Sequence, residues 1–146
     1  IMSKQAFTLL ALLFLALLAG TAIADEHAKK TIFYNITSDD VWTAGMATGQ
    51  ASKALESGYN VVVFLNVRGV YLASTERQQD TFAGTGKTAQ QMLQALMKQG
   101  GRVVVCPMCM QQAGLEMDDV IKGVEMGGPD VTFELMTADD TVVVSY

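Results

Sequence analysis

The segment Tyr59 to Asn66 (YNVVVFLN) carries an unbroken apolar run, and it constrains the fold more than any other stretch of the chain. A strand that alternates apolar and polar residues buries one face. A strand apolar at successive positions must be covered on both faces, as in the parallel sheets of α/β folds. Arg102 to Val105 (RVVV) repeats the pattern on a shorter scale. Between the two lies the clearest helix of the sequence. Ala89, Met92, Leu93, Leu96 and Met97 recur at i, i+3, i+4, i+7 and i+8, and Gly100-Gly101 ends the run. Strand, helix and second buried strand form the unit from which parallel sheets are built.

The rest of the chain extends this unit. Lys30 to Thr37 (KTIFYNIT) is rich in β-branched and aromatic residues and predicts a first strand. Asp39 or Asp40 caps the helix after it, whose inner face is Ala44, Ala47, Ala51, Ala54 and Leu55, with Gly58 as its stop. Arg68-Gly69 turns the chain, and Val70 to Ala73 reads as a short strand extension or hairpin arm. Ser74 to Gly86 is polar and predicts a surface loop near the active end of the sheet. Pro107 opens a short helix to about Ala113, and Asp118 starts another with Val120, Ile121 and Val124 inward. Pro129 opens a last helical turn, and Thr141 to Tyr146 is a terminal strand. The pattern predicts one α/β domain on a mainly parallel sheet covered on both sides.

The first residues are set apart from this domain. Lys4 precedes an apolar run from Ala6 to Ala19, and Ala22-Ile23-Ala24 supplies the small-x-small pattern of a cleavage site. Residues 1–24 are therefore expected to be a signal peptide, cut between Ala24 and Asp25, with no stable membrane insertion afterwards. The expected location is periplasmic or secreted. Residues 25–146, the remaining 122, suffice for one core. They hold nine basic and fifteen acidic side chains, a net charge of −6, with no basic run beyond Lys29-Lys30. Nucleic acid, which needs a clustered basic face, is excluded as a partner.

Chemistry concentrates in Cys106-Pro107-Met108-Cys109, placed where a buried strand meets a helix start. The free N–H groups there stabilise an anion, so Cys106 is the expected attacking thiolate and Cys109, about one turn on, the resolving thiol. Two cysteines so close in sequence staple little of the unfolded chain, which argues against a merely structural disulfide. Met108, Met110, Met117, Met126 and Met136 surround the pair in sequence and raise an alternative, capture of soft Cu(I) by Cys106, Cys109 and a nearby Met. A non-catalytic assembly subunit is a third possibility. The single histidine, His27, lies outside the expected domain core, so Cys-His hydrolysis is not predicted. Gly84-Thr85-Gly86-Lys87-Thr88 imitates the end of a phosphate-binding loop, but it follows a polar stretch and Thr81 stands where that pattern needs glycine. It predicts a helix cap. No cofactor is predicted.

Three blocks, TIFYNIT, VVVFLNVRGVYLA and above all VVVCPMCMQQAGLEMDDVIKGVEM with a closing TVVVSY, make the chain resemble the DsrE/DsrF-like sulfur-relay family from Lys30 to Tyr146. The CPMC motif and signal peptide resemble its exported branch. The resemblance implies a three-layer α/β/α sandwich with a mainly parallel sheet of about five strands, assembled as a homo-oligomer, trimer or hexamer. It implies that Cys106 accepts sulfane sulfur as a persulfide from a donor protein and passes it to an acceptor protein, in sulfur transfer rather than enzymatic turnover of a free substrate. Cys109 departs from many relay members, since a neighbouring thiol can strip a persulfide. Asn66 and Arg68 are expected at the same sheet edge, with Arg68 able to hold a sulfur anion.

Overall fold

The computed structural model describes residues 30–146. The expected signal peptide, its cleavage point and His27 lie outside the described residues.

Strand β1 (Thr31–Ile36) leads through helix α1 (Val41–Glu56) to β2 (Asn60–Leu65). A 3-10 helix (Val67–Ala73) and a small antiparallel hairpin, β3 (Thr81–Phe82) with β4 (Lys87–Thr88), precede α2 (Ala89–Lys98) and β5 (Arg102–Val105). Helix α3 (Pro107–Ala113), a 3-10 turn (Met117–Asp119), β6 (Glu125–Met126), α4 (Pro129–Thr137) and β7 (Thr141–Ser145) complete the chain. The main sheet has the order β6-β5-β2-β1-β7, and every pairing in it is parallel. This is the predicted α/β fold with a five-stranded parallel sheet flanked by helices.

The chain steps from β1 outward to β6 and then returns past β1 to form β7. Right-handed crossovers put the helices of the two journeys on opposite faces. Ile36, Val63, Leu65, Val103 and Val105 accordingly pack with the alanine face of α1, Leu93 and Leu96 of α2, and Met110 of α3 in the larger core. Fully burying a leucine such as Leu93 contributes on the order of 2 kcal/mol. The second face is thinner: Phe33, Val62 and Val104 meet Phe64 and, from α4, Leu135 and Met136.

Local signals set the helix starts. Asp40 Oδ1 accepts the N–H groups of Trp42 and Thr43 at 3.1 and 3.0 Å. Thr88 forms a reciprocal box with Gln91, its Oγ1 accepting the Gln91 N–H at 3.1 Å while Gln91 Oε1 accepts the Thr88 N–H at 3.0 Å. The Gly84 to Thr88 stretch is thus a hairpin turn and helix cap, as the sequence predicts.

Three expectations are corrected. Val70 to Ala73 is the end of a 3-10 helix and not a strand, because Val70 and Ala73, three residues apart, both turn into the core. The helix expected from Asp118 is a single 3-10 turn, after which Val120 bridges Ser74 and Ile121 donates its N–H to Ala73. The fifth strand is therefore β6, held against β5 by Arg102, whose guanidinium forks onto Glu125 at 3.0 and 2.7 Å. The stretch expected to be a loop, Ser74 to Gly86, contains β3 and ends at β4.

Candidate functional site

Ile36, Leu65 and Val105 lie side by side in the register of β1, β2 and β5. The residues that follow them, Thr37, Asn66 and Cys106, leave the sheet as a row. Backbone bonds hold that row: the Asn66 N–H donates to Ile36 at 3.1 Å and the Cys106 N–H to Leu65 at 2.9 Å. Ligand crevices of open parallel sheets form at this carboxyl edge.

Cys106 is the N-cap of α3, with Pro107 in the first turn. Its Sγ accepts the N–H of Cys109 at 3.3 Å. The helix is pinned below by the buried Met110 and closed by Gly114 at φ 69°, a left-handed conformation that glycine adopts without strain. Cys109 Sγ in turn accepts the N–H of Val67, at 3.1 Å. Both thiols are free and half-buried. Burial first, and the hydrogen bond with Cys106 second, push the Cys109 thiol up, while the Val67 N–H pulls it down. On balance the Cys109 thiolate is disfavoured.

Asn66 sits beside Cys106 as expected, but its side chain turns along the edge to hydrogen-bond Asn35, which donates in turn to Ser145 at 3.2 Å. Arg68 forks onto Asp39 with both bonds at 2.8 Å. Arg77 reaches the same carboxylate at 3.2 Å, and its guanidinium lies 3.9 Å over the Tyr71 ring. A cavity of about 210 Å³ beside this cluster is lined by Asp39, Tyr71, Arg77, Gln79, Asp80 and Phe82, and by neither cysteine. The Arg68 charge is thus already matched by the protein, whereas Arg77 gives that carboxylate a single bond.

Of the methionines near the motif, Met110 fills the larger core with Met117 packed against it, Met136 packs against the thinner core of the other face, and Met108 is 79% exposed. Among the described residues no group of three or more His, Cys, Asp and Glu side chains is placed to hold a metal ion. Val67, Asn35, Tyr71, Arg77 and the fork role of Asp39 carry no pattern in the sequence that marks them. Gly69, expected only to turn the chain, also marks a close approach. A Cβ on Gly69 would stand 2.2 Å from the Ile36 carbonyl oxygen.

The sequence profile of the DsrE/DsrF-like family matches residues 29–145. The chain belongs to this family. No curated protein matches it. Among solved structures this DsrE/DsrF-like protein is similar to MTH1491, a protein of unknown function from Methanobacterium thermoautotrophicum, at TM-score 0.66 and 14% identity, covering 81% of this chain and 100% of that one. It is similar also to the ychN protein from E. coli, at TM-score 0.61 and 21% identity, covering 81% and 99%. At these identities the likeness extends to the fold.

Proposed function

We propose that this DsrE/DsrF-like protein is an exported sulfur carrier that holds sulfane sulfur as a persulfide on Cys106. In loading, the Cys106 thiolate attacks the outer sulfur of a donor persulfide, the donor's S–S bond breaks, and the donor leaves as a thiolate. An acceptor thiolate unloads Cys106 in the same way. Alternatively, Cys109 loses its proton and attacks the Cys106 sulfur, forming the Cys106–Cys109 disulfide and expelling hydrosulfide; a dithiol reductant then restores the pair.

The observation that carries this reading is the pair of sulfur hydrogen bonds at the end of β5, Cys109 N–H to Cys106 and Val67 N–H to Cys109. They hold two half-buried thiols at the sheet edge, and burial disfavours the thiolate of Cys109. A Cys109 whose ionisation is disfavoured spares the neighbouring persulfide until a base takes its proton. The partners in this reading are donor and acceptor proteins. Exposed apolar side chains on α4 and the edge strand β7, including Phe133, Val142 and Val143, support a subunit contact in the homo-oligomer, a trimer or hexamer, of this reading.

Mass spectrometry after treatment with polysulfide tests the proposal. A gain of about 32 Da is expected in the native protein, absent in Cys106→Ser and retained in Cys109→Ser. A Cys109→Ser protein that gains nothing would sink it. The exposed Met108 beside two thiols supports a second reading, Cu(I) capture. Anaerobic Cu(I) titration against a chelator separates the two, since copper affinity unchanged by replacing both cysteines excludes capture.

A further inference from the structure

Val67 is the only non-glycine among the described residues with positive φ, at 49°. For a β-branched residue this backbone is an outlier, tolerated where the surroundings over-determine it. Here they do. On one side Asn66 is tied to β1 by its N–H on Ile36 and its side chain on Asn35. On the other, the Arg68 N–H donates to Thr37 at 3.1 Å and the Arg68 fork grips Asp39. Gly69 presses against the Ile36 carbonyl, where no larger residue fits. The turn between these anchors falls on Val67 alone. Its side chain is 60% exposed, so core packing does not explain the conformation. What the conformation achieves is the aim of one N–H at Cys109 Sγ, at 3.1 Å.

We propose that Val67 is a positioning residue whose strained peptide presents a preorganised N–H to Cys109 and holds the negative charge of its thiolate when Cys109 attacks the Cys106 persulfide. This rests on the sulfur-carrier reading for its purpose, but the interaction itself can be measured without sulfur transfer. The logic is that of an oxyanion hole, with sulfur in place of oxygen: a donor fixed in advance needs no reorganisation when charge develops. Burial alone would leave Cys109 a poor nucleophile, and the Val67 N–H is the protein group that opposes burial there. The titratable group acting on Cys109 is Cys106. On the 3-10 helix packed against α3, Arg68 is engaged by Asp39, and Tyr71 lies under Arg68 and Arg77.

The test uses Cys106→Ser, which leaves Cys109 as the one thiol. Replacing Val67 by its α-hydroxy acid turns the N–H into an ester oxygen and keeps the side chain. Alkylation of Cys109 at neutral pH should then slow about tenfold, through a rise of about one unit in its pH midpoint. An unchanged midpoint in a folded ester variant overturns the proposal. Should the ester variant fail to fold, the Cys106→Ser protein itself decides by NMR. The Val67 amide resonance should move with the midpoint that Cys109 alkylation reports, and a resonance that stays still through that titration overturns the proposal. Failure of the carrier reading shows separately, as absence of the persulfide adduct in Cys109→Ser with the Val67 titration intact.

Discussion

Asp39 receives Arg68 at two points, Nε on Oδ1 and Nη2 on Oδ2, both at 2.8 Å. The contact ties the 3-10 helix after β2 to the chain just beyond β1, and it spends the charge that Arg68 would otherwise offer to a sulfur anion. Arg68→Ala should therefore act on stability more than on loading. The melting temperature is expected to fall by roughly 2–5 °C, while the polysulfide adduct on Cys106 forms to the same extent. Calorimetry and mass spectrometry on the same sample check both; a variant that keeps its melting temperature but loses the adduct would return Arg68 to the substrate.

Gly69→Ala puts a methyl 2.2 Å from the Ile36 carbonyl oxygen, a backbone atom with little room to yield. The cost should be about 2–3 kcal/mol by urea unfolding, with the shift of the 3-10 helix loosening the Val67 bond to Cys109. A stability within error of the native protein would show that this close approach is not needed.

Cys109 titrates above its ordinary value because burial and Cys106 disfavour its thiolate. Between the unfolded and folded values the native state holds the proton more tightly than the unfolded chain does. Its contribution is present below the unfolded value and lost as pH rises through the folded one. Reduced protein should thus lose stability on going from neutral to alkaline pH. Tyr34, also pushed up by burial, adds to the fall at higher pH, so the comparison with Cys109→Ser isolates the thiol. Identical pH profiles for the two proteins would contradict the assignment.

Thr88→Ala removes the oxygen that accepts the Gln91 N–H and should cost about 1 kcal/mol. Nucleotides should leave the melting temperature of the native protein unchanged, because the stretch that imitates a phosphate loop spends its polar groups on the hairpin and this cap. A nucleotide-dependent rise in melting temperature would reopen phosphate binding.

The main strands were legible because burial on both faces demands apolar residues at every position, and Val61 to Leu65 and Val103 to Val105 meet that demand. The helices α1 and α2 announced themselves by period and cap. Strand β6 did not, since Glu125 and Met126 pair at an edge on two registers only and carry no apolar pattern. The 3-10 helix was misread because Val70 to Ala73 is apolar, and a short apolar run is ambiguous between states.

For the site, sequence alone determined that two thiols stand at a strand-to-helix junction, because that placement follows from the local order of VVV, Cys106 and Pro107. Only the tertiary structure decided what surrounds them. The pairing of β2 with β5 brings Val67 to Cys109 across 42 positions of sequence, and that of β1 with β2 brings the Asp39 carboxylate to Arg68 across 29. The roles of Cys109, Val67 and Arg68 turn on those long-range meetings, which depend on register and chain path and leave no trace in the neighbouring residues.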